Sequence, residues 1–197
     1  EVARSINGEK DNRHHISHIQ LFNPADIPRF AELGVAANFQ PYWAWADKFI
    51  TELTMPKLGP ERSNWLYPIG SILKTGAVVA FGSDWFVTSG NPMLGIETAV
   101  TRKDPLTNIS DDFLMHERIS LADAIAAYTI NGAYVNFMED ESGSIEVGKY
   151  ADLIVIDRNL FKIPETEISE ANVVLTMLDG EMIYGSWDMK VPEKTAL

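Results

Sequence analysis

Short apolar runs alternate with helical patterns over about the first 140 residues, and this alternation constrains the fold more than any other feature. The helical patterns end at Gly34 and Gly76, and a loop rich in tryptophan and proline lies between them. Strands and helices that alternate in this way are typical of a parallel sheet covered by helices, with right-handed crossovers. The sequence therefore predicts an α/β fold whose parallel strands lie in the runs HHISHIQLF (14–22), VAANFQ (35–40) and AVVAFGSD (77–84).

The pattern becomes strand-rich near residues 138–142. Beyond this point Asp179 and Gly180 lie between two apolar runs, and an Asp-Gly pair in that setting is a strong signal for a β-hairpin. We therefore expect two parts, an α/β domain over residues 1–138 and a β domain over residues 139–197.

The balance of charge excludes one class of partner. The chain of 197 residues carries 16 Lys and Arg against 28 Asp and Glu, a formal charge of −12. Phosphate binding needs a concentrated basic face, so we expect no nucleic-acid partner.

No stretch approaches the roughly 18 apolar residues of a membrane span, and the first residues are unlike a signal peptide. The composition therefore favours a cytoplasmic protein with no membrane partner.

The absence of cysteine restricts the possible metal ligands to histidine and carboxylate, and the chain has only four histidines. His18 lies near the carboxyl end of the first predicted strand, and Asp84 follows the third. Chemistry in parallel α/β sheets gathers at this edge. The pair therefore predicts a metal site in which Asp84 also acts as a general base. The alternative is that both side chains cap helices or bond to backbone groups.

Three further side chains are candidates for substrate binding. Trp43 follows the second predicted strand and Trp85 the third, where aromatic rings could line an apolar pocket or simply pack within loops. Arg62 precedes a predicted helix, where it could hold a substrate carboxylate or form a structural ion pair. Glycine-rich phosphate loops and the G-x-S-x-G motif are absent, which argues against nucleotide binding and serine hydrolase chemistry.

Six segments together resemble a known enzyme group: RHHISHIQ (13–20), DIPRFAELGVAANFQP (26–41), VVAFGSDWFV (78–87), NPMLGIETAVTR (91–102), LADAIAAYTINGAY (121–134) and GSIEVGKYADLIVID (143–157). They follow one another in the order found in the amidohydrolase superfamily. The chain is most similar to the YtcJ-like branch, also called amidohydrolase family 3. The last segment is the most specific, and the resemblance covers nearly the whole chain.

The resemblance implies a metal-dependent hydrolase with a distorted (β/α)₈ barrel and a small β-sandwich. It implies that His18 is the metal-binding histidine at the end of the sixth barrel strand. Asp84 is then the aspartate at the end of the eighth strand, which binds or approaches the metal and transfers the proton. The implied cofactor is a divalent metal, zinc, as one or two ions. Ser17 and Trp43 depart from the family pattern, because a glutamate and a histidine are common at these positions.

Other ligands of the family, including an HxH motif, have no counterpart in this chain. A complete barrel needs eight strands and about 250 residues. We therefore expect the C-terminal part of an enzyme that hydrolyses a C–N bond in a small-molecule amide or N-acyl substrate. The alternative is a non-catalytic fragment that forms homo-oligomers or docks onto its missing half, because three unclosed strands leave an exposed sheet edge. Measuring the size of the purified chain distinguishes these alternatives.

Overall fold

The computed structural model describes residues 1–109 and 112–186. Three short strands form a parallel sheet in the order β1-β2-β3, which confirms the strands predicted from the apolar runs. The register pairs Ser17 with Asn38 and Phe39 with Phe81, so the carboxyl ends of the strands share one edge. The strands are β1 (His15–Ser17), β2 (Ala36–Phe39) and β3 (Val79–Phe81).

Seven α-helices occur within the described residues. α2 ends at Gly34, where a φ of 62° gives the left-handed conformation that glycine adopts without steric cost. The stretch predicted as a loop instead holds a π-helical segment, Phe49–Thr54, that continues into α3. The helices are α1 (Val2–Asn7), α2 (Arg29–Leu33), α3 (Met55–Ser63), α4 (Ile69–Leu73), α5 (Pro92–Thr101), α6 (Leu121–Tyr128) and α7 (Ile130–Val135).

Helices cover one face of the parallel sheet. Phe39 and Phe81 are buried on that face in one cluster with Phe30 of α2 and Ile72 of α4. Removing such side chains from water is the main stabilising term, at roughly 25 cal/mol per Å² of apolar surface. β1 differs from β3, the other edge strand, because its residues are all exposed, including Ile16 at 44%. This edge is the surface that motivated the association alternative, which stays a prediction.

A second, antiparallel sheet follows in the chain, in the order β4-β5-β6. Asp179 and Gly180 connect its last two strands with positive φ values of 49° and 78°, which confirms the predicted hairpin. The strands are β4 (Leu153–Ile156), β5 (Val173–Leu178) and β6 (Glu181–Gly185). The parallel and antiparallel sheets together confirm a mixed α/β architecture.

The two sheets do not have separate cores. Leu160, Ile168 and Ala171, from the connection between β4 and β5, belong to the same buried cluster as the parallel sheet. The predicted boundary between residues 1–138 and 139–197 stays a prediction, and residues 187–197 lie outside the described residues. No described helix combines the length and apolar character needed to cross a bilayer.

Candidate active site at the carboxyl edge of the parallel sheet

His18 lies directly after β1 and is fixed to the neighbouring strand. Its backbone N–H donates to the carbonyl of Asn38 at 3.0 Å, and its φ of 73° departs from the extended strand conformation. The exposed imidazole stacks on the indole of Trp43, with ring centroids 5.6 Å apart and planes 6° apart. The structure therefore brings together a predicted metal ligand and a predicted substrate-binding residue.

Trp43 reaches His18 because β2 is followed at once by a tight turn. Gln40 and Pro41 begin a 3₁₀ turn, Pro41–Trp43, in which the N–H of Trp43 donates to the carbonyl of Gln40 at 3.1 Å. Proline is favourable at the first position of such a turn, because its φ is already fixed and its missing N–H is not needed. The turn carries the indole from the end of β2 back over the end of β1.

Asp84 follows β3 by three residues. The N–H of Gly82 donates to the carbonyl of Phe39 at 3.0 Å, which keeps this segment beside β2. Asp84 is exposed with a φ of 54°, and no described residue makes a hydrogen bond or ion pair with its carboxylate. Trp85 is 75% exposed beside it, and its N–H donates to Oγ of Ser83 at 3.2 Å. A free carboxylate and an aromatic ring thus stand at the end of β3.

The donor types fit a metal, but their number is incomplete. β2 separates β1 from β3, so about two strand spacings of 4.8 Å, roughly 10 Å, separate the backbones that carry His18 and Asp84. Imidazole and carboxylate are the ligands expected when thiolate is absent. Within residues 1–109 and 112–186, however, no cluster of three His, Cys, Asp or Glu side chains exists. A catalytic zinc site usually has three protein ligands, and the two predicted ones, His18 and Asp84, are fewer than that.

Arg62 has no hydrogen bond or ion pair with His18 or Asp84 in the described part of the chain. It lies exposed in the last turn of α3 and lines a separate cavity of about 430 Å³ with Phe22, Pro24 and Trp65. The described part of the chain offers its guanidinium no ion-pair partner, so the structural ion pair considered for it is not formed there. The cavity that Arg62 lines includes neither His18 nor Asp84.

Gln40 also lies at this edge and was not among the predicted site residues. It follows the middle strand, its side chain is 4% exposed, and its Nε2 donates to Oδ1 of Asn38 at 3.4 Å. Its Oε1 is buried without a hydrogen-bond partner among the described residues. Its position directly after a predicted strand places it at the carboxyl edge. An uncharged amide, however, is neither a usual metal ligand nor a general base.

An apolar cavity of about 530 Å³ begins beside Gly82 and extends between α5, α6 and β4. Tyr128 lines it, and burial raises the pKa of this phenol. Tyr128 therefore stays neutral over the physiological range. The cavity is walled mainly by the side chains of Met93, Ile96, Ile125, Ile154, Ile156 and Leu160.

The profile of the amidohydrolase family matches residues 1–184, so the chain belongs to the amidohydrolase family. This confirms the family expected from the six segments. The chain is 34% identical to the protein LONG AFTER FAR-RED 3 of Arabidopsis thaliana, over 93% of this chain and 31% of that protein. It is 31% identical to an N-substituted formamide deformylase of Arthrobacter pascens, over 93% of this chain and 32% of that protein.

A solved structure gives a similar result. An uncharacterized metal-dependent hydrolase from Pyrococcus horikoshii OT3 is 25% identical, with a TM-score of 0.66 over 83% of this chain and 32% of that one. The chain spans about a third of the length of each of these proteins.

Proposed function

We propose that this chain forms the C-terminal part of a metal-dependent hydrolase that cleaves a C–N bond in a small-molecule amide or N-acyl compound. In this proposal β1, β2 and β3 are the last three strands of a (β/α)₈ barrel, and β4, β5 and β6 belong to a small β-sandwich. Membership of the amidohydrolase family supports it. The similarity to a formamide deformylase supports the amide class of substrate.

The observation that carries the proposal is the arrangement at the carboxyl edge of the parallel sheet. His18 and Asp84 end the two outer strands, and both lack a hydrogen-bond partner for their side chains within the described residues. We assign His18 and Asp84 as ligands of a divalent metal, zinc, whose remaining ligands lie in the length of the relatives that this chain does not span. A bound zinc ion supplies Lewis acidity at this edge.

Asp84 is the proton carrier in this proposal. Its carboxylate accepts a proton from the attacking water as the new C–O bond forms at the acyl carbon. It then returns that proton to the leaving nitrogen as the C–N bond breaks, so the carboxylate ends unprotonated and ready for another turnover. Its exposed position, with no side-chain partner among the described residues, suits a group that must meet water first and the leaving nitrogen later.

Trp43 and Trp85 line the substrate pocket in this proposal. Trp43 stands over His18 and Trp85 follows Asp84, so an acyl group held between the two strand ends would have an aromatic wall on either side. Arg62 lines another cavity. It serves this site only for a long substrate whose carboxylate reaches beyond the strand ends, and that role stays a prediction.

Replacing His18 and Asp84 tests the proposal. We choose His18→Asn and Asp84→Asn, because both positions have positive φ and asparagine adopts that conformation readily. With zinc added, hydrolysis of a panel of formamides and N-acyl amines by the full-length enzyme that contains this chain should give a kcat/KM reduced by about 10² to 10⁴ in each variant, the usual contribution of a general acid or base.

Two control substitutions match these variants. His14→Asn removes an exposed histidine next to the start of β1, and Asp179→Asn removes an exposed aspartate with positive φ. Both controls should hydrolyse the panel like the parent. Hydrolysis that persists in His18→Asn and Asp84→Asn would reject the assignment, and a parent that hydrolyses no member of the panel would reject the proposed activity.

A further inference from the structure

Arg102 is a fully buried cation directly after α5, and it holds a distant segment of backbone. Its Nη1 donates to the carbonyl of Tyr67 at 3.2 Å, and its Nη2 donates to the carbonyl of Leu66 at 3.3 Å. The guanidinium lies over the ring of Phe113, at 5.2 Å from the centroid. Its planar fork suits two neighbouring acceptors, which a single ammonium group would not satisfy.

The backbone that Arg102 holds is paired with the loop that follows β1. The N–H of Tyr67 donates to the carbonyl of Gln20 at 2.9 Å, and Leu66 forms an isolated antiparallel bridge with Leu21. Both contacts depend on the placement of residues 66 and 67. Arg102 therefore fixes, through one intermediate segment, the position of residues 20 and 21.

His18 is only two residues from this paired segment. His18, Ile19 and Tyr67 have positive φ values of 73°, 44° and 48°, which non-glycine residues keep only where the surroundings hold them. The Ile19 side chain is 5% exposed, so the turn is anchored in the core on one side and by the Gln20 contact on the other. Loss of the second anchor would leave this turn free to relax.

Burying the charged guanidinium of Arg102 costs desolvation free energy. Burial lowers the pKa of its guanidinium to about 10, although the carboxylate of Glu117 favours the charged form. Its Nε has no hydrogen-bond partner within the described residues. A leucine or methionine would fill such a site without desolvating a charge, so filling space alone does not account for an arginine here.

We propose that Arg102 is a positioning residue for His18: it clamps the carbonyls of Leu66 and Tyr67, and these residues hold the loop that sets the direction of the His18 imidazole. The inference rests on the proposed metal-binding role of His18. Its structural part, the coupling from Arg102 to the imidazole, is measurable without any metal.

The test uses Arg102→Gly, because glycine accepts the φ of 60° at this position and the variant removes the guanidinium without adding backbone strain. Nuclear magnetic resonance of the purified chain follows the Cε1–H signals of its four histidines and the hydrogen exchange of the Tyr67 amide. The variant should exchange that amide at least about tenfold faster. It should also change the chemical shift of the His18 Cε1–H, because the imidazole no longer stacks on Trp43. The chemical shift of the His14 Cε1–H should stay unchanged.

Chemical rescue separates positioning from general stability. Millimolar guanidinium should restore the His18 signal and the slow exchange of the Tyr67 amide. The same concentration of methylammonium should not, because its donors are all on one nitrogen, whereas guanidinium carries donors on several nitrogens in one plane. Arg102→Lys provides a second variant that keeps the charge. It should lie between the parent and Arg102→Gly, since its ammonium cannot satisfy both carbonyls in the same geometry.

An unchanged His18 signal and Tyr67 exchange rate in variants that have lost thermal stability would overturn the proposal and leave Arg102 a core residue only. Zinc titration of the full-length enzyme that contains this chain is a separate measurement. If His18 of the parent binds zinc, the variants should bind it about 10- to 100-fold more weakly, as with other residues that orient metal ligands. If zinc leaves the parent His18 signal unmoved, the proposed metal site fails, while the resonance data still decide the coupling.

Discussion

The two sheets of this molecule contain similar side chains in opposite surroundings. In β2 and β3, Phe39 is fully buried and Phe81 is 8% exposed. In β6, Ile183 is 62% exposed and Tyr184 is 61% exposed. Apolar and aromatic residues mark all of these segments as strands, but of the three only β2 and β3 are covered. Residue type therefore predicts a strand, whereas the burial of that strand depends on which layer packs against it.

The reason lies in the connections. Each crossover between parallel strands carries helices back across the sheet, so α2 and α4 cover the face that contains Phe39. The antiparallel strands β5 and β6 are joined by a two-residue turn, so no helix lies between them in the chain. Leu175 is the one described residue of β5 that is buried, at 1% exposed.

The largest expected effect comes from truncating one aromatic residue in each sheet. Phe39→Ala should lower the free energy of unfolding by about 3 to 5 kcal/mol, because it leaves a cavity in the shared core. Tyr184→Ala should change it by less than about 0.5 kcal/mol, because most of that ring is already in water. Urea denaturation followed by circular dichroism measures both values.

This pair of variants tests whether the two sheets differ in burial in solution. Similar losses in Phe39→Ala and Tyr184→Ala would mean that β6 is covered in solution by a second copy of the chain. In that case the loss in Tyr184→Ala should depend on protein concentration, whereas the loss in Phe39→Ala should not.

The regular elements could be predicted from the sequence where local chemistry decides them. Apolar runs located β2 and β3, and the pair Asp179 and Gly180 located the β5–β6 turn. α3 was missed because Pro56, Gly59 and Pro60 are typical of a loop. The structure accommodates them with a kink, in which Gly59 takes a φ of 76° between two helical pieces.

The site was predictable only where position along a strand carried the information. His18 and Asp84 both follow parallel strands, which is a local property of the sequence. The stacking of Trp43 on His18 could not be derived, because it depends on how the turn after β2 folds back. The hydrogen bonds of Arg102 could not be predicted either, because its partners Leu66 and Tyr67 lie more than 30 residues earlier in the chain.

A smaller effect is expected where α5 meets its neighbours. A Cβ at Gly95 would lie 2.1 Å from Oη of Tyr128 and 3.1 Å from Cγ of Pro41, so Gly95→Ala requires the tyrosine ring to move. We expect a loss of about 1 to 3 kcal/mol in the free energy of unfolding, as for other overpacked cores. Thermal unfolding by calorimetry measures it.

Two further variants sharpen this prediction. Gly132→Ala in α7 meets nothing nearer than a carbonyl oxygen at 3.9 Å and should be neutral or stabilising by up to about 1 kcal/mol. Combining Gly95→Ala with Tyr128→Phe removes the closest atom and should recover part of the loss. A double variant as unstable as Gly95→Ala alone would mean that the backbone of α5, and not the phenol, sets the limit.

The smallest effect concerns the contact that joins the two regions. Glu97 of α5 is fully buried, and its Oε2 accepts a hydrogen bond from the N–H of Ser169 at 2.6 Å, just before β5. Its Oε1 has no partner among the described residues. Burial raises the pKa of the Glu97 carboxyl above its ordinary 4.5, although the bond from Ser169 opposes this. The native state therefore keeps a proton that the unfolded chain loses first.

The sign of the pH dependence follows from that order. Between pH 4.5 and the raised native value, the native state binds more protons than the unfolded state, so the contribution of Glu97 to stability decreases as pH rises. Glu97→Gln removes this titration, and the stability of the variant minus that of the parent should increase from pH 4 to pH 7. Other carboxyls cancel in the difference, and Glu181→Gln on exposed β6 supplies the baseline. A difference that instead decreases with pH would mean that Glu97 is ionised in the native state, and that the Ser169 contact between the two regions is held by a charge.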